Sequence, residues 1–343
     1  MNHYTVSLKK EMKKRPAFLS ACMDRCLKKR SRVVFPDALD ERVLRASRFL
    51  HDEKLAVPVL LGNPFEIRDF AENAKIRTNG LKILKPLHSS EYDRYVKLYY
   101  KLRRHKGLTI TDAAQYLLDP LQFGAMMLRE GQADVCLAGN SSSTADVLRT
   151  GYRIIGTGGK QNPVSSFFLM ISPDLNRIFA FADCSVNPDP TAEELAETAI
   201  QTASSFELVT GMEARVAMLS FSTKGSADHQ KTEKVKRAAE IALKRDPSLR
   251  LDGELQFDAA IVDKIAEKKA PGSVLRGKAN VFIFPTLNAA NIGYKIAEHL
   301  GMYQTLGSFV QGFTKSLHDL SRGCTTESII NTAVVASCMH REN

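Results

Sequence analysis

A chain of 343 residues, 44% hydrophobic and 25% charged, is long enough for about two domains and needs neither disulfides nor a metal to stabilise a core. It has no apolar stretch long enough to span a bilayer, and residues 1–30 lack the apolar core and cleavage site of a secretory signal, so a cytoplasmic protein with no membrane partner is expected. The net charge of +10 favours anionic partners, but neither base-stacking aromatics nor a groove-reading motif accompanies it, which argues against nucleic acid. The basic clusters Lys9–Arg15 and Lys28–Arg32 read as the wet side of one helix, and a third cluster sits at Arg103–Lys106. Cys22, Cys26, Cys136, Cys184, Cys324 and Cys338 form no CxxC pair, so reduced, mostly buried thiols are expected rather than a disulfide frame or a zinc site. Cys22 and Cys26 share a helix face and read as packing residues.

Taken in order, short apolar runs alternate with longer helical patterns. Arg32–Pro36 and Val57–Leu61 read as strands, each followed by a helix, at Leu39–Asp52 and near Phe65–Ala74; Leu81–Leu84 is a candidate third strand. Glu91–Lys106 is a Tyr-rich amphipathic helix stopped by Gly107, and Thr109–Thr111 caps a helical stretch over Ala113–Glu130 that is interrupted near Pro120. Ala133–Ala138 is a buried strand, from which Gly139–Arg149 turns into a helix. The flexible GTGGKQNP at Gly156–Pro163 breaks this rhythm and is the candidate domain crossover. Beyond it, Val164–Ile171 and Ile178–Ala182 are adjacent strands joined by a short turn, so part of the second sheet is expected to be antiparallel. Thr191–Phe206 is a helix with a Thr-x-x-Glu start, and strand-helix units recur at Val216–Ser220 with His229–Lys244, at Ala259–Lys268, and at Ala279–Pro285 with Leu287–Leu300. The pattern predicts an α/β fold with parallel-rich sheets covered by helices.

In such sheets ligands gather at the carboxyl ends of strands. Those positions carry small polar loops here: GNSSS at Gly139–Ser143, SFSTKGS at Ser220–Ser226, PTLNAAN at Pro285–Asn291 and SRG at Ser321–Gly323, which suggests one shared cleft. Arg103, Arg149, Lys224 and Arg322 lie close to them in sequence. DLSRGCTTESII, from Asp319 to Ile330, sets a hydroxyl, a fixed cation and a flexible backbone ahead of a helix start, a combination suited to anions. For an isolated Ser-Arg-Gly a helix cap with a solvated arginine is the favoured reading, and only other parts of the chain can reverse it. No loop matches GxxxxGK[ST] and no strand is followed by GxGxxG.

LRRHKG (Leu102–Gly107), SSSTADVLR (Ser141–Arg149), MLSFSTKGSA (Met218–Ala227), DGELQFDAAI (Asp252–Ile261), KAPGS (Lys269–Ser273), KANVFIFPTLNAANIGYK (Lys278–Lys295) and DLSRGC (Asp319–Cys324), preceded by PDALDER (Pro36–Arg42), stand in one order along the chain. In these motifs, across nearly its whole length, the chain resembles the phosphate acetyltransferase family. The resemblance implies two α/β domains with a cleft between them, isocitrate/isopropylmalate dehydrogenase-like: residues 1–155 with about 320–343, and about 156–319. It also implies a homodimer, and reversible acetyl transfer between coenzyme A and phosphate with no metal and no tightly bound cofactor, coenzyme A being a substrate. Phosphate butyryltransferase is the alternative within this chemistry. A non-catalytic regulatory protein that binds acetyl-CoA is the alternative outside it. A nicotinamide-dependent decarboxylating dehydrogenase would need a metal-carboxylate cluster and a nucleotide fingerprint, neither of which the sequence carries.

By the same resemblance, the family's important arginines fall on Arg103, Arg149 and Arg322 and its transition-state serine on Ser321. Arg322 and Ser321 are then expected to face the developing oxyanion, Arg149 and the loop of Ser141, Ser142 and Ser143 to hold phosphate, and Arg103 to lie near phosphate or coenzyme A. Lys224 is either a solvated loop lysine or a contact for coenzyme A phosphates, and Asn288 and Asn291 either bind ligand or cap a helix. The family's proposed base is an aspartate seven residues after the motif serine, and here that position is Ser328. Glu327 or a water-relayed Asp319 is the expected replacement, unless Arg322 lowers the thiol pKa enough to make a base dispensable. Cys324 reads as a small packed residue.

Overall fold

The structure, a computed structural model, describes residues 15–159 and 162–340, which divide into two compact units. Unit 1 is residues 1–156 with 313–343, and unit 2 is residues 157–312. Most of the Lys9–Arg15 cluster therefore lies outside the described residues.

Unit 1 opens with α1 (Ala17–Lys28) and continues with β1 (Ser31–Phe35), α2 (Glu41–Asp52), β2 (Ala56–Leu61), α3 (Pro64–Asn73), β3 (Lys82–Leu84), α4 (Tyr92–Arg103), α5 (Ile110–Tyr116), α6 (Pro120–Arg129), β4 (Val135–Ala138) and α7 (Thr144–Thr150). Local chemistry sets the helix starts. Asp40, Asn63, Asp119 and Ser143 each accept a first-turn N–H, and Thr109 forms a reciprocal capping box with Asp112. The stretch predicted as one interrupted helix is two, because Pro120 lacks an N–H and is tolerated only at the first turn of a new helix, α6. Lys28–Arg32 is not one helix face: α1 ends at Lys28, and Arg32 lies in β1 with its guanidinium 2.6 Å from Asp134.

After α7 a π-helical turn, Gly151–Ile155, leads the chain out of unit 1. A Cβ at Gly151 would overlap the Phe313 ring, and Tyr152 meets that ring edge-on at 5.3 Å. The departing and returning backbones are joined here, since Thr314 donates its N–H to the Gly156 carbonyl at 3.0 Å and its hydroxyl to the Ile155 carbonyl at 3.1 Å.

Unit 2 contains β5 (Ser165–Ile171), β6 (Ile178–Ala182), α8 (Ala192–Thr210), β7 (Arg215–Leu219), α9 (Gln230–Arg245), β8 (Arg250–Leu255), α10 (Phe257–Ile261), α11 (Asp263–Lys269), β9 (Val281–Ile283), α12 (Leu287–His299) and β10 (Gln304–Gln311). Its strand order among the described residues is β10-β5-β6-β9-β7-β8. The β10/β5 and β5/β6 pairs are antiparallel and the others parallel, in keeping with the short turn between β5 and β6. Thr191 and Glu194 form the capping box that the Thr-x-x-Glu pattern predicted.

Unit 1 is completed by β11 (Ser316–Asp319) and α13 (Thr326–Met339). Its sheet runs β11-β4-β1-β2-β3, every pair parallel. Three strands without a sequence signal, β8, β10 and β11, are polar or glycine-bearing. SLHD of β11 has three polar residues in four, and it is buried because it pairs with the wholly buried β4.

Candidate active site

The order β11-β4-β1 sets three parallel strands side by side, so their carboxyl ends share one edge of the sheet. β1 runs out into Asp37, β4 into Gly139–Ser143, and β11 ends at Asp319, two residues before Ser321.

The GNSSS loop is organised by Asp37, a residue that motif reading did not single out. The Asp37 carboxylate accepts the N–H groups of Gly139, Ser141 and Ser142 at 2.9, 3.1 and 3.2 Å and the Ser142 hydroxyl at 2.6 Å. The loop expected to hold phosphate therefore has three of its backbone N–H groups turned onto a carboxylate of the protein. Ser143 accepts the Asp146 N–H at 3.1 Å as the N-cap of α7. Of the three serines, Ser141 is the one that stands exposed. The position of Asp37 directly after a strand was the signal available for finding it.

Asp319 is buried, 5% exposed, at the end of β11. Its Oδ2 accepts the Thr144 hydroxyl at 2.6 Å, while its Oδ1 is buried without a hydrogen-bond partner. Burial pushes its carboxyl up to about 6; the charge of Asp37 adds to the rise, and the Thr144 hydroxyl and Arg322 oppose it. Gly139 makes the close approach possible, with φ at +109° and a missing side chain whose Cβ would overlap Asp319 Oδ1 and stand 2.6 Å from the Leu320 carbonyl oxygen. Gly139→Ala is expected to destabilise unit 1 by at least about 2 kcal/mol and to lower Tm in a denaturation scan, with Gly131→Ala, also at positive φ but in open space, the milder control.

Ser321, Arg322 and Gly323 are exposed. No hydrogen bond or ion pair of the Arg322 guanidinium is found among the described residues, but its backbone is fixed by Arg42. Arg42 Nη1 donates to the Arg322 carbonyl at 2.7 Å and to the Cys324 carbonyl at 2.8 Å. Nη2 of the same guanidinium lies 2.6 Å from Asp40 Oδ2. Burial works against the charge on Asp40, yet the bonds from Arg42 outweigh it and hold the carboxyl below its ordinary range. Arg42 lies within the PDALDER motif and was not singled out, because nothing local links the start of α2 to a loop 280 residues later.

Arg149 follows the GNSSS loop on α7, and its Nη1 lies 2.6 Å from Asp146 Oδ1. Arg103, the last residue of α4, neighbours Tyr99, whose ring stacks on Tyr116 at 4.9 Å; no hydrogen bond joins Arg103 to Asp319–Arg322 among the described residues. Ser328 Oγ lies 3.0 Å from the hydroxyl of Thr325, the N-cap of α13, and Glu327 sits half-buried in that helix's first turn. Cys324 is 9% exposed, and burial pushes its thiol up, which suits a packed residue.

Lys224 and Asn288 belong to unit 2. Lys224 Nζ is ion-paired with Asp252 and donates to the Gly253 carbonyl at 3.3 Å. Neither asparagine caps α12: Thr286 is the N-cap, accepting the Ala289 N–H at 3.4 Å, Asn288 is exposed, and Asn291 donates to the Cys184 carbonyl at 3.3 Å. No group of three or more His, Cys, Asp or Glu side chains set to hold a metal ion occurs among the described residues, and no helix there is long and apolar enough to cross a membrane.

Known proteins share this sequence and fold. A phosphate acetyltransferase of Thermoanaerobacterium thermosaccharolyticum is 43% identical over 319 residues, 92% of this chain and 97% of its own. One from Bacillus subtilis is 42% identical over 306 residues, 89% of this chain and 94% of its own. The crystal structure of a phosphotransacetylase from Streptococcus pyogenes superposes with a TM-score of 0.90 at 39% identity, covering 94% of this chain and 98% of that one. Residues 17–337 match the family described as phosphate acetyl/butaryl transferase. Strands, loops and relatives agree, and the chain belongs to the phosphate acetyl/butaryl transferase family.

Proposed function

We propose that the chain catalyses reversible acetyl transfer between coenzyme A and phosphate, and that the carboxyl edge of β11, β4 and β1 carries the reacting groups. Its relatives at about 40% identity are phosphate acetyltransferases, acyltransferases that share nearly the full length of the chain. The observation that carries the assignment is the pairing of an exposed Arg322, whose guanidinium makes no hydrogen bond or ion pair among the described residues, with a buried carboxyl of raised pKa, Asp319, three residues earlier at the end of β11.

In the proposed reaction the coenzyme A sulfur gives its proton to Asp319 through a relayed water and attacks the carbonyl carbon of acetyl phosphate. Negative charge collects on the carbonyl oxygen, where the Arg322 guanidinium and the Ser321 hydroxyl donate to it. The tetrahedral centre then collapses, the C–O bond to phosphate breaks with its electron pair, and phosphate leaves as an anion toward Arg149 and the Ser141 hydroxyl. Asp37 keeps the loop in shape, with Ser142 as its partner and Ser143 as a cap. Asp319 is preferred to Glu327 as the proton acceptor because its Oδ1 is buried without a partner and its raised pKa suits an acceptor near neutral pH. Arg103, Lys224 and Asn288 remain in the proposal as contacts for coenzyme A or phosphate.

The isocitrate/isopropylmalate dehydrogenase-like class, a cytoplasmic location and a homodimer complete the proposal. The homodimer is supported by an exposed apolar stripe at helical spacing, Ile292, Ile296 and Leu300, continued by Met302.

Thioester formation from coenzyme A and acetyl, propionyl or butyryl phosphate tests the activity. Acetyl phosphate is expected to exceed butyryl phosphate in kcat/KM by at least about tenfold. The reverse order would assign the chain to butyryl transfer, and binding of coenzyme A without turnover would make it a regulatory binder.

A further inference from the structure

Cys22, Cys26 and Cys338 come from opposite ends of the sequence and meet where α1 packs on α13. Cys22 and Cys26 are one helical turn apart and 0% and 2% exposed, whereas Cys338, in the last turn of α13, is partly open to solvent. Cys338 Sγ lies 3.5 Å from the Cys22 carbonyl oxygen, and Cys26 Sγ lies 3.7 Å from the Val334 carbonyl oxygen one turn before Cys338. In both contacts a thiol donates to a carbonyl of the facing helix, which brings the three cysteines to one place on the α1–α13 seam.

We propose that Cys338 is a peroxide-oxidisable thiol with Cys22 and Cys26 as its resolving partners, forming a disulfide that links α1 to the last turn of α13. Three features of the cluster give Cys338 this part. It is the least buried residue of the three. The hydrogen bond from Cys22, then that from Cys26, and the charge of Arg25 favour its thiolate, so its pKa falls while those of Cys22 and Cys26 rise. Finally, a nascent sulfenic acid on Cys338 would stand against α1, its sulfur 3.5 Å from the Cys22 carbonyl oxygen and one turn beyond the contact of Cys26 with Val334.

The chemistry balances with a hydroperoxide as oxidant. The Cys338 thiolate attacks one peroxide oxygen, the O–O bond breaks, and hydroxide leaves. The resulting sulfenic acid is attacked by the sulfur of Cys22 or Cys26, whose proton leaves with the departing hydroxyl as water. In total two thiols and one hydrogen peroxide become one disulfide and two waters.

The test uses the reduced full chain, hydrogen peroxide, and intact-mass and peptide analysis under non-reducing conditions. Wild type is expected to lose two hydrogen atoms and to yield a peptide joining residue 338 to residue 22 or 26, both changes reversed by dithiothreitol. Cys338→Ser should form no such link. The double variant Cys22→Ser/Cys26→Ser keeps hydroxyl donors near Cys338 but cannot form the disulfide, and should accumulate a dimedone-trapped sulfenic acid at Cys338. Circular dichroism of the reduced variants confirms folding. The proposal is overturned if wild type stays unlinked under peroxide, if the link survives Cys338→Ser, or if the double variant traps sulfenic acid at another cysteine. Every readout is thiol chemistry, so the result stands apart from the acyl transfer assigned above.

Discussion

Replacing Arg322 with alanine is expected to lower kcat for acetyl transfer by about 10²–10³-fold, the loss seen when one oxyanion donor is removed. The fold should not change. Arg322 is exposed, and its place in the loop is set by its carbonyl, which Arg42 holds at 2.7 Å and which alanine retains. Far-UV circular dichroism and Tm should therefore match the parent. Arg322→Lys should recover part of the loss, because an ammonium supplies the charge without the planar fork of donors. A Michaelis constant that rises while kcat holds would place Arg322 on the bound ground state instead, and an alanine variant within threefold of the parent would remove it from the mechanism.

The second large effect is expected at Asp319. Asp319→Asn keeps the shape and can still accept the Thr144 hydroxyl, but it has no carboxylate to take a thiol proton, and a fall of about 10²–10⁴-fold in kcat is expected. The parent pH–rate profile should carry an acidic limb near the carboxyl's value of about 6. Losing Asp319 removes that limb along with most of the rate, whereas Glu327→Gln should leave it in place. Ser328→Asp restores a carboxylate seven residues after Ser321, so partial rescue in the Asp319→Asn background would show that the two positions serve one proton.

Stability should move the other way. A carboxyl raised from its usual value near 3.9 to about 6 binds its proton more tightly in the folded chain than in the unfolded one. Its contribution is therefore most favourable below about pH 4, declines between about 4 and 6, and stays unfavourable above that. Asp319→Asn is expected to gain about 2–3 kcal/mol at pH 8, with the gain shrinking as the pH approaches 4, as measured by denaturant unfolding. Equal stabilities at both pH values would mean that the buried carboxyl carries no such penalty.

The strands and helices of unit 1 up to α7 were legible in sequence because their apolar runs and caps are local signals, as with Asp40, Thr109 and Ser143. What could not be read was pairing over distance. β11 is four residues with His318 and Asp319 among them, and it is a strand because it lies against β4. Asp37 and Arg42 are ordinary in their own surroundings and acquire their roles only when loops about 100 and 280 residues away come to rest on them. Ser321 and Arg322 were visible through the family motif DLSRGC, since an isolated Ser-Arg-Gly reads as a helix cap. The serine loop was visible too, but its turn toward Asp37 was not, since N–H groups carry no sequence identity.

The interruption of unit 1 by the whole of unit 2 has a consequence for biosynthesis. β4 is complete by Ala138, yet β11, its partner on one side, follows only after unit 2 has left the ribosome. At about 5–20 residues per second the wait is on the order of ten to thirty seconds, during which the nascent chain displays an apolar strand edge with nothing beside it. The growing polypeptide is thus most vulnerable to chaperone capture or self-association before β11 emerges, and the reactive loop appears only when that interval ends.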